Sequence, residues 1–267
     1  MRSDCRLRQK LTCAEVTELD TKPTVKTNML LAVLIDGENV PDYCIREILD
    51  EVALYGTPTI KRIYCDMTSQ YNQRWQKHLL ENAIIPVQAF SYTTGKNSSD
   101  SALIIDAMDI LYGGYIDGFV IVSSDSDFTR LSTRLRETGK LVLGIGERKT
   151  PEPFRVSCDK FIYIENIRQS SAPTRSSQLP ADAKAPSPKD ISKLILDSIS
   201  SIADESGYAP LSALGNLLIK KKPDFDSRNY GYKKLAELLA AINDVELDYR
   251  KSADPKVNHI YVRVKQH

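Results

Sequence analysis

After Met29 the chain alternates short β-rich runs with longer helical patterns, and this alternation is the strongest constraint on its fold. Strands separated by helical segments form βαβ units, which build a mainly parallel sheet sandwiched by helices. We therefore predict an α/β domain over residues 29–168. The predicted strands are 30–35, 59–65, 84–89, 118–123, 140–144 and 160–164, and the predicted helices are 42–55, 69–82, 98–112 and 127–138.

The composition changes on both sides of this domain. Residues 169–188 are rich in Ser, Pro and Ala and contain almost no side chain that could enter a core. They predict a flexible linker that lets two domains move independently. Residues 1–28 mix charges and threonines without clear periodicity, and we expect them to form a disordered extension.

Residues 189–267 have the pattern of a second, smaller domain. Three apolar stripes at helical spacing cover 191–202, 211–218 and 235–242, and two strand-like runs follow at 245–249 and 259–264. Three helices followed by a hairpin predict a winged helix-turn-helix.

Composition narrows the classes of partner. The 36 Lys and Arg residues nearly balance the 35 Asp and Glu residues, so nucleic-acid binding must depend on local patches.

The five cysteines lack the spacing of a zinc site, which favours a reduced, cytoplasmic protein. No run approaches the roughly 20 apolar residues of a membrane helix, so we expect no membrane partner. The phosphate-binding patterns GxGxxG and GxxxxGK[ST] are absent, which disfavours dehydrogenases and NTPases.

Four aspartates follow strands or begin a helix. Asp36 comes directly after the first strand, Asp125 and Asp127 follow the 118–123 strand, and Asp100 lies near the start of a helix. The carboxyl ends of parallel strands share one edge of the sheet, so we expect the four carboxylates to converge. Taken singly, an Asp after a strand is also a common helix cap or turn residue.

A cluster of carboxylates requires a counter-charge, because like charges held close together raise one another's pKa. Oxygen ligands without Cys or His favour Mg²⁺ or Mn²⁺ over Zn²⁺. One or two such ions can ionise a water and stabilise a departing oxygen. The pattern therefore predicts metal-dependent hydrolysis of phosphodiester bonds.

Four ordered motifs resemble the NYN family, also called LabA-like or DUF88, over about residues 30–167. They are IDGEN at 35–39, GKNSSD at 95–100, SSDSDF at 123–128 and CDKFIYI at 158–164. The resemblance implies a Rossmann-like, PIN-like fold and a Mg²⁺- or Mn²⁺-dependent ribonuclease. It implies that Asn39 orients a ligand or water, that Lys96 meets a phosphate, that Ser124 hydrogen-bonds in the site, and that the metal-binding and catalytic acids are Asp36, Asp100, Asp125 and Asp127.

Residues 189–265 resemble the LOTUS, or OST-HTH, domain. The resemblance rests on LSALG, PDFDSRNYGY and KKLAELL within 207–242, and it implies binding of RNA or of a protein partner. The candidate contacts combine cations with stacking surfaces, the alternative being a solvated face around a core Tyr. They are Lys221, Arg228, Tyr230 and Lys233, with Lys220, Lys222, Tyr232 and Lys234 beside them.

Two hypotheses follow. In the first, the protein is a metal-dependent ribonuclease whose C-terminal domain binds RNA or a protein partner. In the second, it is a non-catalytic adaptor of RNA metabolism in which the acids hold a metal for structure or regulation. The complete set of four acids favours the enzyme.

Overall fold

Six parallel strands form the sheet of the first domain. The computed structural model describes residues 29–90, 98–171, 188–251 and 258–265. The strands are β1 (Leu30–Asp36), β2 (Thr57–Cys65), β3 (Ile85–Gln88), β4 (Gly118–Val122), β5 (Leu141–Gly146) and β6 (Lys160–Tyr163). They follow the order β3-β2-β1-β4-β5-β6. Every pairing in this sheet is parallel, as the alternation of strands and helices predicts.

Helices cover both faces of the sheet. On one face, Leu31, Val33 and Ile35 of β1 contribute to a core that also contains residues of three helices, α1 (Ile45–Val52), α2 (Trp75–Asn82) and α6 (Ile164–Ser171). On the other face, Ala32 and Leu34 share a core with α3 (Ser98–Gly113), α4 (Thr129–Glu137) and α5 (Glu152–Ser157). The central strands are buried on both sides, which is why their sequences are continuously apolar rather than alternating.

The predicted elements of this domain are confirmed, with small shifts at their ends. Two short helices, α5 and α6, are absent from the prediction: α5 lies between the signals of β5 and β6, and α6 begins at the last residue of the predicted strand 160–164. Helix α6 also continues to Ser171 and so occupies the start of the predicted linker. Residues 172–187 of that linker and the N-terminal extension 1–28 lie outside the described residues. No helix in the described part of the chain is long and apolar enough to cross a membrane.

The second domain has the predicted winged helix-turn-helix order. Its helices are α7 (Pro188–Ile202), α8 (Leu211–Lys221) and α9 (Leu235–Ala240), and its hairpin consists of β8 (Val245–Lys251) and β9 (Asn258–Val264). A two-residue strand, β7 (Ala209–Pro210), adds to β9 and completes an antiparallel sheet of three strands. The apolar stripes of the three helices meet in one core.

The two domains are in contact in the structure, while the expectation that the linker lets them move independently stays a prediction. Arg228, in a 3-10 turn of the second domain, donates two hydrogen bonds to the Glu51 carboxylate of α1, at 3.0 and 2.9 Å. Asp226 also accepts from this guanidinium, at 2.7 Å. The Glu51 side chain is only 9% exposed, so Arg228 neutralises a charge that would otherwise be buried alone.

A second set of contacts covers the free edge of β6. The Phe161 backbone N–H donates to the Pro223 carbonyl at 2.9 Å, and the Tyr163 hydroxyl donates to the Asp224 carboxylate at 2.8 Å. Arg155 of α5 forms an ion pair with the same carboxylate. The second domain therefore satisfies a backbone donor of an edge strand that would otherwise be open to pairing with another chain.

We expect Arg228→Ala to undock the second domain. The change removes the bidentate pair and leaves Glu51 without its counter-charge, at a cost of about 2–3 kcal/mol for hydrogen bonds between charged groups. Small-angle scattering should show a larger radius of gyration, and unfolding should separate into two transitions.

Arg263→Ala is the matched control, because Arg263 pairs with Glu246 on the open surface of the same domain, where both side chains are about 40% exposed. This change should cost no more than about 1 kcal/mol and leave the radius unchanged. An unchanged radius in an Arg228→Ala/Asp224→Asn variant would contradict the assigned role of the interface.

Candidate metal centre

The carboxyl ends of the two central strands hold the acidic residues. Asp36 is the last residue of β1, and Asp125 lies three residues after the end of β4, which pairs with β1. Asp127 lies in the 3-10 turn that begins α4, and Asp100 lies in the first turn of α3. The parallel topology thus brings three separate segments to one edge, as the positions of the strands predict.

Three of the four predicted metal ligands form a compact group. Carboxylate oxygens of Asp100, Asp125 and Asp127 all lie within 4.8 Å of one another. Asp100 is buried, Asp125 is half-buried and Asp127 is exposed, so the group opens to solvent on one side. Oxygen donors at this separation suit a hard divalent cation, whose ligands lie at roughly 2.0–2.6 Å.

Asp36, the fourth predicted ligand, lies beside this group, but both of its carboxylate oxygens accept hydrogen bonds from other residues. Its Oδ2 accepts from the Ser123 hydroxyl at 2.7 Å and from Asn39 Nδ2 at 2.8 Å. Its Oδ1 accepts from the backbone N–H groups of Glu38 and Asn39, both at 3.3 Å. Asn39 therefore orients Asp36. The predicted role of Asn39, to orient a ligand or water, is compatible with this position.

The turn after Asp36 depends on a glycine. A Cβ on Gly37 would lie 2.8 Å from the Ile63 side chain, so a larger residue would push the loop away from β2. Gly37 also donates its N–H to the Tyr64 carbonyl at 3.0 Å and accepts from Trp75 Nε1 at 3.0 Å. These contacts explain the glycine of the IDGEN motif.

Electrostatic repulsion is concentrated at Asp100. Burial and, after it, the charges of Asp36 and Asp125 together raise the pKa of this carboxyl to about 6. Burial likewise raises the pKa of Glu38, with Asp36 and Asp66 adding to the effect. A site that disfavours the ionised form of its own acids is one in which a bound cation would relieve the repulsion.

Ser123 is the residue that the sequence reasoning missed. It is fully buried, donates to Asp36 and accepts from the Asp125 backbone N–H at 3.0 Å. The predicted serine, Ser124, instead accepts from the Glu147 N–H at 2.9 Å and so connects the site loop to the loop after β5. Successive side chains of a strand point to opposite faces of the sheet. Counting along β4 therefore distinguishes the direction of Ser123 from that of Ser124. Lys96 lies outside the described residues.

The predicted contacts of the second domain fall into two groups. Lys221 and Lys233 are exposed, and Lys221 donates to the Ser198 hydroxyl at 3.0 Å. Arg228 lies in the domain interface, and Tyr230 is 9% exposed and packs in the core of the domain. The sequence assigned all four to one binding surface, whereas the structure leaves only the two lysines open to a ligand.

Comparison with known proteins identifies both domains. The NYN domain family matches residues 30–165, which is half of the chain. The chain belongs to the NYN family, whose members have a nuclease-like, PIN-like fold. Residues 186–257 match the OST-HTH/LOTUS domain, a module that binds RNA or proteins. The predicted two-domain family assignment is thus confirmed. No curated protein matches the chain.

Several solved structures are similar to parts of the chain. A protein of unknown function from Vibrio parahaemolyticus is 20% identical, with 53% of this chain and 96% of that chain covered and a TM-score of 0.44. An uncharacterised protein from Nitrosomonas europaea is 35% identical, with 37% and 91% covered and a TM-score of 0.28. A protein from Chromobacterium violaceum is 27% identical, with 33% and 90% covered and a TM-score of 0.25.

We expect Asp100→Asn to stabilise the metal-free protein and to abolish stabilisation by a metal. The amide removes one buried negative charge, so the melting temperature without metal should rise by roughly 2–4 °C, the change expected for about 1 kcal/mol. The increase that Mn²⁺ causes in the parent protein should disappear. Thermal unfolding with and without Mn²⁺ measures both effects.

The pH dependence follows from the same residue. The pKa of Asp100 is raised from 3.8 to about 6 in the folded protein, so the folded state holds this proton up to a higher pH than the unfolded state does. The contribution of Asp100 to the free energy of unfolding therefore falls as the pH rises between these two pKa values. Metal binding needs the ionised form. Stabilisation by Mn²⁺ should therefore be full well above pH 6 and weaken below it, and equal stabilisation on both sides of that pH would contradict the ligand role.

Proposed function

We propose that the protein is a metal-dependent ribonuclease that hydrolyses RNA phosphodiester bonds. The observation that carries the proposal is the group of three aspartates whose carboxylate oxygens lie within 4.8 Å of one another, at the edge of a nuclease-like sheet. The nuclease-like fold of the NYN family supports the same function.

Asp100, Asp125 and Asp127 would hold Mg²⁺ or Mn²⁺ at this edge. The ion would supply Lewis acidity, lowering the pKa of an attacking water and stabilising charge on the departing oxygen. The protein itself contributes orientation. Asp36, held by Ser123 and Asn39, supplies a fixed negative charge next to the ligands.

The C-terminal domain would bring RNA to this centre. Lys221 and Lys233 are exposed, and exposed cations of this kind contact the phosphate backbone. Since the whole chain carries a formal charge of only +1, such local cations must supply the attraction. Lys96, the second residue of the GKNSSD motif, is the candidate for a phosphate contact in the first domain.

The decisive test is cleavage of labelled single-stranded and structured RNA by the full chain with Mg²⁺, Mn²⁺ or EDTA. We expect metal-dependent cleavage, and we expect Asp36→Asn/Asp125→Asn to reduce its rate by a factor on the order of 100 or more. Even residues that only orient a metal ligand contribute about 10- to 100-fold.

Asp109→Asn is the matched control, because Asp109 lies on α3 with Asp100 but is exposed and outside the aspartate group. It should cleave at the parent rate. Binding of RNA without cleavage under every metal condition would instead identify the protein as an adaptor, with the acids holding a metal for structure or regulation.

We also expect Lys221→Ala/Lys233→Ala to weaken RNA binding without changing folding. Each phosphate contact that is lost should reduce the slope of log affinity against log salt by about 0.7 for a single strand. Fluorescence anisotropy at several salt concentrations measures this slope. Lys265→Ala is the control, since Lys265 is an exposed lysine of the same domain that is hydrogen-bonded much as Lys221 is but follows β9 instead of lying on α8. An equal loss in both variants would argue against a specific lysine surface.

A further inference from the structure

Two exposed tyrosine rings lie at the same edge of the sheet as the aspartates. Tyr43 is in the 3-10 turn Asp42–Cys44, which follows the loop after β1, and Tyr71 is in the 3-10 turn Gln70–Arg74, which follows β2. Their exposed fractions are 59% and 65%. Both rings are therefore accessible to a ligand that approaches this edge.

Each ring is held by an arginine. Arg74 Cζ lies over the Tyr71 ring, 4.3 Å from its centroid, and Arg168 Cζ lies 5.0 Å from the centroid of the Tyr43 ring. Each arginine also donates to the hydroxyl of its tyrosine, at 3.3 and 3.4 Å. The rings are therefore fixed and backed by positive charge while remaining accessible to a ligand.

The first of these pairs is connected to the aspartate site. Arg74 Nη2 lies 3.4 Å from the carbonyl oxygens of Gly37 and Val40, which belong to the loop that begins at Asp36. Arg74 Nη1 lies 3.9 Å from the Asp42 carboxylate, next to Tyr43. The two turns thus flank one loop, and the loop carries Asp36 and Asn39.

We propose that the Tyr43–Arg168 and Tyr71–Arg74 pairs form a stacking platform for unpaired bases of single-stranded RNA that enters the aspartate site. An open aromatic ring can stack on a base of any sequence, and an adjacent arginine adds cation–π and phosphate attraction. A duplex hides the faces of its bases, so the platform selects single strands. This inference rests on the proposed function, because it assigns the substrate class of that site.

Equilibrium binding by the full chain tests the platform. The parent carries Asp125→Asn so that the RNA stays intact, and the probe is a fluorescein-labelled oligouridylate of about 12 nucleotides, within the usual range of single-strand sites. Tyr43→Ala and Tyr71→Ala should each raise Kd about tenfold, the size expected for loss of one stacked base. The affinity for a duplex of the same length should not change.

Two kinds of control separate stacking from other effects. Tyr43→Phe and Tyr71→Phe keep the rings and should bind RNA within about twofold of the parent. If the tyrosine hydroxyls contacted the RNA instead, these variants would bind more weakly. Tyr112→Ala/Tyr115→Ala removes rings that are 75% and 58% exposed, in the last turn of α3 and just after it, away from Asp100, and should also leave Kd unchanged. A 2-aminopurine base in the probe should lose fluorescence on binding to the parent and less so on binding to the alanine variants.

The outcomes distinguish the platform from the proposed nuclease. Unchanged Kd in both alanine variants, or an equal loss for duplex RNA, overturns the platform even when the wild-type chain cleaves RNA. Absence of binding to the single strand in the parent overturns it as well. Loss of binding in the alanine variants, combined with no cleavage by the wild type in any metal, would leave the platform in place and remove the nuclease.

Discussion

Strands β1 and β4 are paired neighbours in the sheet, and this pairing joins residues that are 87 positions apart in the chain. Through it the Ser123 hydroxyl reaches Asp36 and also accepts from the backbone of Asp125. The acids repel one another, so their own interactions cannot hold them together. The hydrophobic burial of both strands supplies the energy, and the site is consequently pre-organised before any ligand arrives.

The acidic site destabilises the folded chain, and contacts outside the site compensate for this. The raised pKa of Asp100 means that the folded chain holds an unfavourable charge at neutral pH, which a cation would offset. The stabilising contacts lie elsewhere, in the two cores that cover the sheet and in the interface between the domains. A functional site that destabilises its own protein and a scaffold that compensates for it are a common combination.

The features that the sequence predicted well are those with a local pattern. The parallel sheet follows from the alternation of strands and helices, and the position of Asp36 follows from the end of an apolar run. The direction of Ser123 depends on the exact parity of β4, and the interface role of Arg228 has no local signal in the sequence. Arg228 looks like an RNA contact because the same residue type serves both purposes, and its partner Glu51 is 177 residues away. The short helices α5 and α6 were missed for lack of a full apolar period.

The backbone bond between Phe161 and Pro223 has a consequence for synthesis of the chain on the ribosome. Strand β6 is complete once Tyr163 has emerged, but its edge partner is translated about sixty residues later, which takes on the order of several seconds. During that interval the nascent first domain presents an unprotected strand edge to neighbouring chains. A chain that ends before Pro223 would keep this edge of the first domain open to pairing with another chain.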